Sequence, residues 1–183
     1  MVSSPGFIIF TGPMFGGKTS RMLASLDRAK YQSKKIVAFK PKMDHRYAEG
    51  EIVTHMGHSW KAICISEGKE IYEHAEHADV IAVDEAFMID GVAAALGVLY
   101  REGKTIFVST IQLSAQGYFF DEVQTMLPWA TRVEVCPAVC SLCEKDAYYT
   151  VAKIDGLKHI EVGGAETYEP RCYEHTPFLL GNV

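Results

Sequence analysis

Apolar residues follow two rhythms along this chain. Short unbroken runs alternate with stretches in which apolar positions recur every three or four residues. Gly6 to Thr11 (GFIIFT) is an apolar, β-rich run that closes on a glycine loop, and it reads as a buried strand. From Thr19 to about Ser33, Met22, Leu23, Leu26 and Ala29 share one face, with Arg21, Asp27, Arg28 and Lys30 between them, which predicts an amphipathic helix. Lys35–Lys40 (KIVAFK), Trp60–Ile65, Val80–Val83 and Thr105–Thr110 read as further strands. Ser66 is placed to cap a helix running to about Ala78, and Asp90–Glu102 reads as a helix with Gly97 as its weak point. Pro41 to Ser59 is polar, rich in His and Gly, and too long for an idle connector. Strands alternating with helices predict an α/β fold, a mostly parallel sheet with helices on both faces.

Near Cys136 the rhythm changes. A Cys-x-x-Cys, aromatic residues, an Asp155-Gly156 turn and a Cys-x-x-His follow in close order. The Asp-Gly pair between Tyr148–Ile154 and Leu157–Val162 predicts a hairpin. The expected division is an α/β domain over residues 1–135 and a small β lobe over 136–183.

Composition narrows the function. The chain has 183 residues, 48% hydrophobic and 22% charged, with a formal net charge of −5. That fits one main domain with an appendage. An acidic balance argues against long nucleic acid as a partner, because binding it needs a basic face. A small polyanion held at one local site remains allowed. No apolar run reaches the ~18 residues of a membrane span. The N-terminus, MVSSPGFIIFTG, lacks the basic region and the length of a signal peptide. The expected location is cytoplasmic. An odd cysteine count, five, points away from a closed disulfide framework and towards metal binding or buried thiols.

Gly12-Pro13-Met14-Phe15-Gly16-Gly17-Lys18-Thr19 fits G-x-x-x-x-G-K-[ST] between a strand and a helix. Glycines let backbone N–H groups turn towards phosphate oxygens, and the following helix aims its positive end at the same anion. In this pattern Lys18 bridges the β- and γ-phosphates and the Thr19 hydroxyl ligates Mg²⁺. Val80-Ile-Ala-Val is a strand ending in Asp84-Glu85. Phosphoryl-transfer sites place an Asp there to hold Mg²⁺. Neighbouring strand residues face opposite ways, so the strand end must curl for both carboxylates to serve one site. Glu85 is then the candidate to accept a proton from an attacking hydroxyl.

Cys140-Ser-Leu-Cys143 and Cys172-Tyr-Glu-His175 supply three thiolates and an imidazole, a closed tetrahedral set for structural Zn²⁺. A redox role for Cys140 and Cys143 would leave Cys172 and His175 unexplained. Cys64 and Cys136 sit in apolar runs and read as core thiols. Asp44 and Arg46 lie in the long loop; an Arg there can offset phosphoryl charge, although Asp-x-Arg alone is more often a surface ion pair. His45, His55 and His58 have no ligand spacing. Tyr118, Phe119 and Phe120 close an unusual stretch after a sheet strand and suit either a base pocket or the core.

Together these parts resemble the thymidine kinases of the zinc-containing P-loop type, over nearly the whole chain. The resemblance rests on GPMFGGKT, Asp44–Tyr47 (DHRY), Val83–Ala86 (VDEA), the two Cys/His knuckles and Val162–Tyr168 (VGGAETY), in that order. It implies a homotetramer that transfers the γ-phosphoryl of ATP to the 5′-hydroxyl of thymidine. It further implies Glu85 as base, Asp84 as the Mg²⁺-associated carboxylate and Arg46 beside the transferred phosphate. Val162, Gly163, Gly164 and Ala165 would form a loop over the nucleoside, with Tyr168 near the sugar. Met14, Met88, Ile111, Phe120 and Thr150 match positions lining the base pocket.

The departures cluster on one wall. Phe87 stands where the family has Gln, and Ile111-Gln-Leu-Ser-Ala-Gln-Gly117 replaces Leu-Asp-Gly-Thr-Phe-Gln-Arg. Ala115 thus takes the place of the base-stacking Phe, and Gly117 that of the Arg. A pocket opened in this way suits thymidine or a deoxyuridine with a larger 5-substituent, unless Tyr118 or Phe119 swings in to restore the stack. A P-loop ATPase or GTPase, with Glu85 activating water, is the alternative enzyme; a zinc-bearing binding module leaves the phosphate loop unexplained.

Overall fold

The computed structural model describes residues 4–44, 50–54 and 56–180. In chain order come β1 (Phe7–Thr11), α1 (Lys18–Tyr31), β2 (Ile36–Pro41), β3 (Glu51–Val53), β4 (Ser59–Lys61) and β5 (Ile63–Ile65). A 3-10 turn at Gly68–Ile71 leads into α2 (Tyr72–Ala75), then β6 (Val80–Val83), α3 (Val92–Arg101), β7 (Thr105–Ser109), α4 (Asp121–Met126) and β8 (Arg132–Val135). The C-terminal part carries β9 (Ala138–Val139), β10 (Asp146–Ala147), β11 (Tyr149–Ala152) and β12 (Tyr168–Arg171).

Six strands form the central sheet in the order β5-β2-β6-β7-β1-β8, and every pairing within it is parallel. The unbroken apolar runs have their cause here, since a parallel sheet is covered on both faces. Along β6, Val80 and Ala82 pack with Met22, Leu23 and Leu26 of α1. Ile81 and Val83 pack with Val92, Leu96 and Leu99 of α3. Residue alternation thus puts one helix on each face, and the expected α/β architecture stands. Because all six strands run the same way, their C-terminal ends share one edge, where open α/β sheets bind ligands. No helix among the described residues is long and apolar enough to cross a membrane.

Three local expectations are corrected. The run Trp60–Ile65 is two strands: β4 pairs antiparallel with β3, and β5 pairs parallel with β2. The break falls at Ala62, whose N–H donates to the Gly50 carbonyl at 2.9 Å. Ser66 does not cap a helix. A parallel bridge between Glu67 and Asp90 holds the chain extended there, and Glu67 and Glu70 form the capping box for the short turn that follows. Gly97 lies inside α3, where a Cβ would sit 3.3 Å from the Trp129 indole nitrogen, so its small size, costly to the helix alone, lets that ring pack closely. Finally, Asp155-Gly156 does not join two paired strands. β11 pairs instead with β12, from Tyr149 opposite Arg171 to Ala152 opposite Tyr168, and the residues between them form a long excursion.

Candidate functional site

The loop from Gly12 to Gly17 links β1 to α1. Gly12 and Gly16 are glycines for a definite reason. A Cβ on either would lie 2.2 or 2.3 Å from the Cys136 carbonyl oxygen, and the Cys136 N–H donates to Thr11 O at 2.7 Å. Cys136 is therefore core, as its sequence context suggests, and its backbone also shapes the loop. Gly17 caps α1 in the left-handed conformation, with no side-chain cap and no acidic residue in the first turn. The positive end of a 14-residue helix is thus left open to an anion. Lys18 is buried and donates to the Pro13 carbonyl at 2.7 Å.

Asp84 follows β6 directly. The Thr19 hydroxyl donates to its carboxylate at 3.1 Å, which brings the two expected Mg²⁺-associated side chains together. Burial, then the neighbouring Glu85 charge, pushes the Asp84 carboxyl from 3.8 up to about 6, against the pull of the Ser109 and Thr19 hydroxyls and Lys18. A buried carboxylate that is costly to ionise beside a hydroxyl is chemistry that a divalent cation suits. Glu85 adopts φ 48°, ψ 43°, the left-handed region that a non-glycine residue rarely enters. This is how the strand end curls and keeps both carboxylates on one site.

Two cavities meet there. The first, about 610 Å³, is lined by the loop, Lys18, Thr19, Lys40, Asp44, Asp84 and Glu85. The second, about 440 Å³, is walled by Met88, Ile111, Ala115, Phe120, Thr150 and Tyr168 among others. Met14 and Glu85 belong to both walls. Thr150 also accepts a hydrogen bond from the Met14 N–H at 2.9 Å, tying β11 to the phosphate loop. Of the loop expected to cover the nucleoside, Gly163 reaches the second cavity; Val162, Gly164 and Ala165 lie outside its wall. The Tyr168 hydroxyl donates to the Glu161 carbonyl at 2.9 Å and steadies that loop. Arg46, His45 and His55 lie outside the described residues. His58 is exposed.

The departures at the second cavity have structural accounts. Phe87 packs beside Phe120 in the cavity wall, the two rings tilted at 46° with centroids 4.6 Å apart, and His159 lies against the Phe120 ring at 4.8 Å. Gly117 takes φ 84°, and a Cβ would meet the Phe178 ring at 2.8 Å, so no Arg fits in this arrangement. Tyr118 and Phe119 are both 65% exposed and do not swing in beside Ala115. Ser114 and Gln116, from the stretch already marked as a pocket wall, also line the cavity, as do Lys158, His159 and Glu161, which no sequence signal marks. Isolated polar residues in a turn or a long loop look like solvated ones until the chain folds them inward. Lys40, at the polar end of an apolar strand, is hidden from sequence reading for the same reason.

Cys140, Cys143, Cys172 and His175 converge, with their ligand atoms all within 4.8 Å of one another. The Cys143–Cys172 sulfur separation is 3.6 Å, and Cys172 Sγ lies 3.3 Å from His175 Nδ1. Four ligands around zinc at Zn–S of about 2.3 Å would have sulfurs roughly 3.8 Å apart, so the set fits the ion. Burial opposes ionisation of Cys140, but the Leu142, Cys172 and Cys143 N–H groups and His175 outweigh it and bring the thiol from 9.0 to about 6. Thiolate is the ligating form. The cluster could hold zinc. Cys64, half-buried in β5, stands apart from it.

A sequence model of the thymidine kinase family ("TK: Thymidine kinase") matches residues 6–176 of the chain.

Proposed function

The chain belongs to the thymidine kinase family, and from that premise we propose that it transfers the γ-phosphoryl of ATP to the 5′-hydroxyl of thymidine or of a 5-substituted deoxyuridine. The observation that carries this reading is the place of Glu85, on the wall of the phosphate cleft and of the adjoining cavity at once. A group at that junction can reach a hydroxyl on one side and the phosphoryl it attacks on the other.

In the proposed reaction the Gly12–Gly17 amides and Lys18 hold the triphosphate. Thr19 and Asp84 would hold Mg²⁺, which when bound supplies charge neutralisation at the β- and γ-oxygens. Met14, Met88, Ile111, Phe120 and Thr150 enclose the base beside Ala115. Val162, Gly163, Gly164 and Ala165 form the covering loop, with Tyr168 near the sugar. Glu85 accepts the proton of the 5′-hydroxyl as its oxygen bonds to phosphorus and the bond to ADP breaks, and Arg46 offsets the charge that develops. Positioning and fixed charge supply most of the rate in such transfers.

The proposal also takes the chain as two parts, a nucleotide domain over 1–135 and a zinc lobe over 136–183, with a structural zinc on Cys140, Cys143, Cys172 and His175. It takes the assembly as a homotetramer in the cytoplasm. The test is incubation with Mg–ATP and each natural nucleoside, followed by assay of monophosphate. The expected result is phosphorylation of a pyrimidine deoxynucleoside and little hydrolysis without an acceptor. Hydrolysis that no nucleoside stimulates would replace the kinase with an ATPase.

A further inference from the structure

Lys40 ends the apolar run of β2 and lies in the wall of the phosphate cleft. It is 3% exposed. Its ammonium has three protons to donate. Among the described residues its one hydrogen bond goes to the neutral Glu51 carbonyl at 3.3 Å, and no carboxylate pairs with it. An ammonium out of water calls for an anion or several well-placed dipoles. A single long bond to one carbonyl meets little of that need.

Strand register says where the missing partner belongs. Phe39 of β2 is the register partner of Val83 of β6, and both side chains pack on the α3 side of the sheet. The Asp84 N–H continues the ladder by donating to the Phe39 carbonyl at 3.0 Å. One step on, Lys40 and Asp84 are neighbours facing the other side. That is the α1 side, where Lys18 and Thr19 stand. Lys40 is thus aimed at the same space as the open helix end and the buried carboxylate.

We propose that Lys40 is a phosphate-binding residue, a second ammonium beside Lys18 that donates to non-bridging oxygens of the oligophosphate in this cleft. The identity of that oligophosphate as ATP rests on the kinase reading; the need for an anion does not. A charge-assisted bond of this kind adds affinity for the phosphates without touching the nucleoside cavity, whose wall does not include Lys40.

The test separates charge from tethering. Lys40→Gln keeps an N–H for the Glu51 carbonyl and loses the charge; Lys40→Arg keeps the charge. Calorimetry would measure Mg–ATP and inorganic tripolyphosphate binding to the wild type and both variants, with KM for ATP and for nucleoside alongside. The expected result is about a tenfold loss of affinity for both phosphates in Lys40→Gln, near-normal binding in Lys40→Arg, and a raised KM for ATP with the nucleoside KM unmoved. Lys40→Gln binding both phosphates as the wild type does, or a wild type with no affinity for tripolyphosphate, overturns the proposal. So does an equal loss in both variants that tracks a fallen melting temperature, which would assign Lys40 to holding the β3–β4 hairpin. If the wild type phosphorylates no nucleoside, the kinase reading falls, and tripolyphosphate binding still decides the role of Lys40.

Discussion

Single residues carry the chemistry of this site, and two of them do so at a conformational or electrostatic cost that can be measured. Glu85 sits at φ 48°, a region costing a non-glycine residue roughly 1–2 kcal/mol. Glu85→Gln keeps the backbone and loses the proposed base, so kcat should fall about 10²–10⁴-fold while Mg–ATP affinity holds. Glu85→Gly should be equally inactive yet should unfold at higher denaturant, by up to about 1 kcal/mol, because glycine accepts that φ freely. Turnover and chemical denaturation of the two variants check both halves of this expectation. Asp84 gives a pH signature. Its carboxyl is raised from 3.8 to about 6 in the fold, so the folded state binds that proton more tightly than the unfolded chain does. Its stabilising effect is therefore fully present below about pH 4 and is lost as pH climbs towards 6. In metal-free protein the wild type should lose stability across this window relative to Asp84→Asn. Mg²⁺ held on Asp84 as proposed would compete with the same proton, so raising Mg²⁺ should move the acid limb of activity to lower pH; an acid limb indifferent to Mg²⁺ would separate Asp84 from the metal.

Elements turn these residues into a site, and they are unevenly legible in the sequence. The strands of the parallel sheet can be read because strands buried on both faces are bare apolar runs. The phosphate loop can be read because its glycines recur at fixed spacing. What escapes depends on partners far along the chain. Asp155-Gly156 looks like a hairpin turn locally, yet β11 finds β12 sixteen residues on, between Ala152 and Tyr168. Trp60–Ile65 looks like one strand, yet its halves answer to β3 and β2. Lys158, His159 and Glu161 line the second cavity only because that long excursion folds back over the sheet. The loop glycines allow a sharper test of why this element has its sequence. Gly16 has an ordinary φ but no room, since an added Cβ would lie 2.3 Å from the Cys136 carbonyl oxygen; Gly17 has φ 75° and open space. Gly16→Ala should therefore cost about 2–3 kcal/mol through overpacking, and Gly17→Ala about 1 kcal/mol through backbone strain alone. Equal melting-temperature losses in the two variants would show that β8 and its Cys136 extension do not brace the loop.

At the scale of the whole molecule, residues from both ends of the chain line the two adjoining cavities, and in the proposed reading the Cys/His cluster decides whether they stay together. The sheet supplies the phosphate cleft, while β11 and β12 bring Thr150 and Tyr168 to the second cavity. Those strands are held at one end by the cluster: Cys172 follows β12 directly, and the Ser141 N–H, between the first two cysteines, donates to the Pro170 carbonyl at 3.1 Å. Among the described residues this region's own buried cluster is Ala138, Cys140, Ala147 and Cys172, with Cys143 packed against it. A core that small, two of whose members belong to the Cys/His set that could hold zinc, is expected to depend on such a metal for its order. The phosphate cleft has no such dependence, because its walls rest on the two large cores either side of the sheet. Removing zinc should therefore act on the two substrates unequally. A strong chelator should release about one zinc per chain and raise the nucleoside KM tenfold or more, with Mg–ATP binding falling far less. Cys172→Ala should reproduce that imbalance without chelator. The Met14–Thr150 hydrogen bond is a direct link by which the loss could spread to the phosphate loop, so Thr150→Val should raise the KM for ATP as well as that for the nucleoside in zinc-replete protein and leave zinc content unchanged. Equal loss of both substrates on chelation would mean that the metal holds the entire fold, and that the phosphate cleft is not independent of the lobe proposed to cover the nucleoside.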